Sequence, residues 1–234
     1  KSLREEGYDA FFLGTGLHVS RKLNVEGEDT DGVLKGVDFL RDVALGNKVS
    51  LGKKVVVVGG GNVAIDVVLT ALRLGAQDLS LACLEKREEM PASKDEVHMA
   101  IEEGVKINNS LGPNKFLVKG GKLTGVEFKK CTSVFNDKGQ FAPSYDDKDL
   151  TTLEADTVIV AIGQAADTGF AGNMGLETLK NGVIPVSSVS GMTNIEGVFA
   201  GGDVVTGPGK AIDAIAHGKK AAVYINRYLR GESL

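Results

Sequence analysis

The run Lys54-Val-Val-Val-Val58, followed at once by Gly59-Gly60-Gly61-Asn62-Val63-Ala64, constrains this chain more than any other stretch. Four consecutive β-branched residues ending on glycine read as a strand covered on both faces, the kind found in parallel sheets. Apolar spacing from about Gly61 to Leu74 predicts a helix directly after the turn, so the G-x-G-x-x-A match sits between a strand and a helix. Each position then has a task in dinucleotide binding. Gly59 permits the tight turn, Gly61 lets backbone approach a pyrophosphate, and Ala64 lets helix and strand pack closely. The free N–H groups at the helix start face the anion. A glycine turn that merely packs is the alternative.

The residues from Asp78 to Arg87 and beyond support the nucleotide reading. A second strand is expected over Asp78 to Leu84, a helix near Lys94 to Glu103 with Gly104 as its stop, and a third strand over Val105 to Ile107. Alternating strands and helices imply a parallel α/β sheet. Glu85 falls roughly 20 residues beyond the fingerprint, where a carboxylate holds ribose hydroxyls and repels a 2′-phosphate, which favours NADH. Lys86 and Arg87 come next and supply the opposite charge, so NADPH stays open.

From Lys115 the period changes to two. Phe116–Val118 and Leu123–Lys130 predict an antiparallel meander, with a polar loop from Asn136 to Asp149. The acidic, glycine-containing stretch Val25 to Gly36 reads as a linker. Apolar residues from Ala211 to Leu229 recur at helical spacing and predict a long, one-sided helix.

Thirty-one glycines in 234 residues exceed the usual share of roughly 7% and need a reason beyond turns. Three segments supply one. Tyr8–Gly16, Ala155–Gly163 and Glu196–Asp203 are short strands closing on small residues, where backbone approaches a ligand or crossing chain. In the last, Asp203 precedes a glycine-rich loop and can accept hydrogen bonds from sugar or ribityl hydroxyls; capping a turn is the alternative.

Other functions are set aside on composition. A net charge of −4 argues against a nucleic-acid surface. No apolar run approaches the roughly 20 residues needed to cross a bilayer, so no membrane insertion is expected. Cys83 and Cys131 form no CxxC pair and read as buried small residues in a reducing, cytoplasmic setting. His18, His98 and His217 lack metal-ligand spacing and are read as structural or surface residues; no metal site and no side-chain catalyst is expected. Asp95 and Glu96 fit a helix's first turn, where they favour its dipole. The length suggests two modest domains, and a chain opening on Lys1 and entering a strand almost at once reads as part of something longer.

The fingerprint, the Arg87-Glu-Glu-Met-Pro-Ala92 run, the Ala161-Ile-Gly-Gln164 strand end and Ala200-Gly-Gly-Asp203 together resemble the FAD/NAD(P)-dependent pyridine nucleotide-disulfide oxidoreductases, flavoproteins with two dinucleotide-binding domains. The resemblance covers nearly the whole chain. It is nearest to the branch holding the glutamate synthase small subunit, the flavin–NADPH portion of dihydropyrimidine dehydrogenase, and NADH-oxidising flavin subunits related to heterodisulfide reductase A and benzoyl-CoA reductase. It implies a Rossmann-like NAD(P)H-binding domain over 53–160 inserted in a truncated FAD-binding domain, whose parts are 1–52, linker included, and 161–234. It also implies that Gly14, Thr15, Gly16, Gly163, Gln164, Gly202, Asp203 and Ala211 line FAD. The fingerprint residues Gly59 to Ala64, with Glu85, Lys86 and Arg87, would hold NADH or NADPH.

The activity implied is hydride transfer from NADH to FAD, with electrons passing on to an iron–sulfur protein or domain. Either a homo-oligomer or a hetero-complex is compatible with it. The family's first G-x-G-x-x-G, which binds the ADP half of FAD, is not among these residues. Two other readings therefore stand beside the first: an NAD(H)-binding module without bound flavin, and an NADPH-dependent protein like the glutamate synthase small subunit.

Overall fold

A computed structural model of the chain describes residues 2–234, which fall into two compact units. Ser20–Gly163 form one; the segments up to Val19 and from Gln164 onward form the other. In chain order the elements begin with β1 (Phe11–Leu13) and β2 (Val19–Ser20). Next come β3 (Val33–Lys35), α1 (Gly36–Ala44), β4 (Lys54–Val58), α2 (Asn62–Arg73), β5 (Asp78–Ala82), α3 (Lys94–Glu102) and β6 (Lys106–Asn108). The strands β7 (Leu111–Lys119), β8 (Lys122–Phe135), β9 (Phe141–Glu154) and β10 (Thr157–Val160) complete the first unit. After β11 (Gln164–Ala165) come α4 (Ala171–Met174), β12 (Val198–Ala200), α5 (Asp203–Thr206) and α6 (Ala211–Leu229).

The Ser20–Gly163 unit is built on a five-stranded parallel sheet in the order β3-β10-β4-β5-β6. The valines of β4 explain its two covered faces. Val55 and Val57 pack with Ile65, Val68, Phe39 and Val97 of the helices, whereas Val56 and Val58 pack with Phe116, Val126 and Phe128 of the meander β7-β8-β9. Successive strand residues point to opposite faces, so four apolar residues in a row require cover on both sides. The strand–turn–helix order expected around the glycines is the one observed, and it carries the fingerprint to the carboxyl end of the sheet.

Two expectations for this unit are corrected. The stretch Val25 to Gly36 is no linker. Its Val33–Lys35 is the edge strand paired to β10, Glu26 O accepts the Phe116 N–H at 2.8 Å, and the Glu28 carboxylate accepts the Leu23 and Asn24 N–H groups at 2.8 and 2.7 Å. The acidic residues satisfy backbone donors of a packed loop, which is why acidity misled. Nor is Asn136 to Asp149 a loop: only a short turn separates β8 from β9, and Phe141–Glu154 pairs along β8 with three register shifts. Nearly every side chain of β9 is exposed, so no hydrophobic alternation marks it. The compact unit starts at Ser20, with β3 and α1 packed into its core.

In the second unit β1 pairs in parallel with β12, and Leu176, Ile184, Ala200 and Val204 form a small core. Helix α6 has the expected bounds, but its buried side is not the one rich in isoleucine. It packs through Ala221 and through Tyr228 on Phe199, while Ile212, Ile215, Val223 and Leu229 stay more than half exposed.

Candidate functional site

The dinucleotide loop begins where β4 ends. Gly59 has φ +145° and its N–H donates to Ala82 O at 2.9 Å. A side chain there would run into the Ala161 carbonyl, so turn geometry and close packing both demand glycine. Gly60 is buried beneath the Glu85 carboxylate and the Cys83 side chain. Gly61, the residue before α2, opens on free space: nothing lies within 4 Å of where its Cβ would be. That gap lies beside the free N–H groups of the helix start, as a phosphate group requires. Asn62 and Val63 form the first turn of α2, and Ala64 is fully buried against the sheet.

The loop is braced from the side by the Met90-Pro-Ala-Ser93 turn. Ala92 N–H donates to Gly60 O at 3.1 Å, and Ser93 N–H donates to the Asn62 carboxamide oxygen at 2.8 Å. These bonds fix the fingerprint against the start of α3, a role for Asn62 that the motif does not announce. They also bring in Glu96, on the first turn of α3. Among the described residues, Glu96 Oε2 is the buried side-chain oxygen with no hydrogen-bond partner. Buried acceptors without donors are rare because desolvation costs them about 1–3 kcal/mol, which makes this oxygen an unusual feature beside the loop. The dipole reading given to Glu96 accounts for its position but not for its burial.

Glu85 is half-buried at the end of the second strand segment, its backbone oxygen accepting Ser110 N–H and Asn109 Nδ2–H at 3.0 and 3.1 Å. Its carboxylate lies against Gly60 of the glycine loop. Lys86 is exposed, with its ammonium 4.0 Å from the Glu89 carboxylate, and Arg87 opens a 3-10 turn. Burial, with the Glu85 charge next, pushes the Cys83 thiol up to about 12, and burial raises Cys131 as well. A thiol held protonated is a poor nucleophile, so the two free cysteines offer no dithiol chemistry.

The second unit holds a cavity of about 450 Å³ whose lining includes Phe12, Gly14, Gly16, Gly201, Gly202, Asp203, Lys210, Ala211 and Ala214. Three chain segments meet there. Five of the eight residues expected at FAD line it: Gly14, Gly16, Gly202, Asp203 and Ala211. Thr15 is exposed beside them, whereas Gly163 and Gln164 lie where the chain passes from one unit to the other and are not in the lining. Phe12, Lys210 and Ala214 were not signalled by any motif. Gly16 and Gly202 leave room for a flat ring system while Gly14 and Gly201 lie against Phe12, Asp203 supplies an acceptor for hydroxyls, and Lys210 supplies a cation. This donor set fits the flavin end of FAD. No group of acidic, histidine and cysteine side chains among the described residues could hold a metal ion, and no helix among them is long and apolar enough to cross a membrane.

The family described as Pyridine nucleotide-disulphide oxidoreductase matches residues 1–218. The chain is 41% identical over 230 residues to "NADP(+)-dependent formate dehydrogenase subunit beta" of Moorella thermoacetica, covering 97% of this chain and 32% of that protein. It is 35% identical over 242 residues to "Glutamate synthase [NADPH] small chain" of Escherichia coli K12, covering 95% of this chain and 51% of the relative. The chain thus spans about a third to a half of the length of these relatives. Among solved structures, Mycobacterium tuberculosis FprA in complex with NADPH superposes with a TM-score of 0.74 at 17% identity, over 97% of this chain and 64% of that one, which establishes the fold.

Proposed function

The chain belongs to the pyridine nucleotide-disulphide oxidoreductase family, and from that premise we propose that it is the nucleotide-handling part of a flavin-linked oxidoreductase. In this reading it takes hydride from NADH to FAD and delivers electrons to an iron–sulfur partner or domain, in the cytoplasm. The observation that carries it is the pairing, in one chain, of a braced fingerprint loop in the Ser20–Gly163 unit with a glycine- and aspartate-lined cavity in the other. When bound, the nicotinamide supplies the hydride and the flavin accepts it. The chain's own residues need bring no acid or base to that exchange, since orientation and exclusion of water are what the protein contributes.

This reading gives each residue a part. Gly61 and the first N–H groups of α2 receive the pyrophosphate, and Glu85 accepts from the ribose hydroxyls. Gly14, Gly16, Gly202, Asp203 and Ala211 form the wall and polar edge of the flavin pocket, with Thr15 next to them. Gly163 and Gln164 keep a proposed role near the flavin through the family motif alone. A partner subunit is supported by the relatives' names, "subunit beta" and "small chain".

A second reading, NADPH as donor, is favoured by the dinucleotide named in those two relatives and by Lys86 and Arg87 beside Glu85. Parallel fluorescence titrations with NADH and NADPH separate the two: tighter NADH binding upholds the Glu85 assignment, and tighter NADPH binding removes it. The function as a whole is tested by adding NADH anaerobically to the FAD-loaded protein. Bleaching of the visible flavin band is expected. A flavin that binds yet stays oxidised would leave only a dinucleotide-binding module.

A further inference from the structure

Between the Gly201–Asp203 turn and helix α6 lies one hydrogen bond that none of the roles above uses. The Gly202 N–H donates to His217 Nδ1 at 3.1 Å. Nδ1 is therefore the acceptor, and the neutral ring carries its proton on Nε2. On the other side of the same turn, a side chain at Gly201 would come within 2.9 Å of His217 Cβ and 3.1 Å of the Phe12 ring. Gly201 is thus pressed between His217 and Phe12, and Phe12, Gly201, Gly202 and Asp203 are cavity wall. His217 is not among the lining residues; it stands one layer behind them.

A peptide between two glycines needs this support. Neither residue has a Cβ to restrict it, so rotation of the 201–202 peptide plane meets less steric resistance than that of a peptide flanked by side chains. Gly202 has φ +75° and ψ −158°, a combination without a preferred partner in regular structure. The N–H direction of Gly202 fixes the plane of a trans peptide, hence the antiparallel carbonyl of Gly201 and the point from which Asp203 starts. We propose that His217 is a positioning residue for the flavin pocket: its unprotonated Nδ1 locks the Gly201–Gly202 peptide so that Asp203 is presented to the cofactor's hydroxyls. This rests on the flavin reading of the cavity and adds to it a residue outside every motif.

The side-chain amides of asparagine and glutamine place their polar atoms near Nδ1 and Nε2 of histidine, respectively, so they separate this role from bulk or polarity. FAD affinity is measured for the protein at its natural length and for its H217A, H217N and H217Q forms, with NADH affinity measured alongside. The expected result is a loss of about 10-fold in FAD affinity for H217A and H217Q, return to within about 3-fold for H217N, and unchanged NADH binding in all. Equal FAD affinity in the four proteins, or rescue by H217Q but not H217N, overturns the assignment while leaving the flavin site intact. Failure of the unaltered protein to bind FAD, with NADH still bound, overturns the flavin reading itself and this inference with it.

Discussion

The two glycine turns of this molecule do similar work by opposite means. At Gly59–Gly61 the loop is contiguous with its strand and helix, and its glycines are held by backbone groups, Ala82 O and Ala92 N–H, with the Asn62 side chain bracing the helix start that follows. At Gly201–Asp203 the turn meets segments from both ends of the chain; Leu13 O accepts the Gly201 N–H, and the Gly202 N–H is held by a side chain, His217. Backbone bracing comes with the sheet and cannot be mutated away without disturbing it. Side-chain bracing is replaceable, which makes the second turn the one where affinity can change with the fold intact.

The largest effect expected of any single change is at Gly59. Gly59→Val forces a β-branched residue to φ +145° and into the Ala161 carbonyl, so the Ser20–Gly163 unit should lose several kcal/mol, with urea unfolding as the measure. A midpoint within error of the unaltered protein would mean the loop is less fixed than described. By contrast Gly61→Val, whose side chain points into open space, should leave the unfolding midpoint nearly in place. Dinucleotide affinity should fall by about 100-fold, roughly 2.7 kcal/mol. Equal damage to both properties would erase the difference between the two glycines.

Alkaline pH probes the strand that ends beneath the loop. The Cys83 thiol is raised in the folded protein, so the unfolded chain ionises first and holds fewer protons once pH passes 9, its ordinary value. The stability this thiol contributes is whole below pH 9 and is lost as pH rises toward about 12, at up to about 1.4 kcal/mol per pH unit. Cys83→Ala should flatten that slope in urea unfolding between pH 8 and about 10.5, and an unchanged slope would assign the alkaline loss elsewhere. Smaller again is Asn62→Ala, which removes the acceptor for Ser93 N–H and should cost about 1 kcal/mol of stability with a modest loss of NADH affinity. Glu85→Gln should move the NADPH-to-NADH affinity ratio upward without altering stability; a constant ratio would take Glu85 out of the ribose site.

Legibility in the sequence obeyed the same division. Val55–Val58, the glycines and the α2 periodicity lie in one stretch, so local chemistry alone specified strand, turn, helix and dinucleotide loop. Strand β9 was hidden because pairing with β8 holds it while its side chains face water. The Val25–Gly36 segment was hidden because its acidic side chains cap backbone groups inside a packed loop. Asp203 and Ala211 were read from motifs, but Lys210 and Phe12 join the cavity lining, and His217 the layer behind it, only after distant segments fold together. Glu96 has the same lesson: its place in a first helical turn was readable, and the burial of one oxygen was not.

Rapid mixing of NADH with the FAD-loaded protein and its Gly61→Val form tests most directly whether the Ser20–Gly163 unit supplies the hydride donor. The account predicts flavin bleaching that saturates with NADH, the substitution raising the half-saturating concentration about 100-fold with the limiting rate unchanged. Bleaching with the same NADH dependence in both proteins would contradict it, as would the absence of bleaching in the unaltered one.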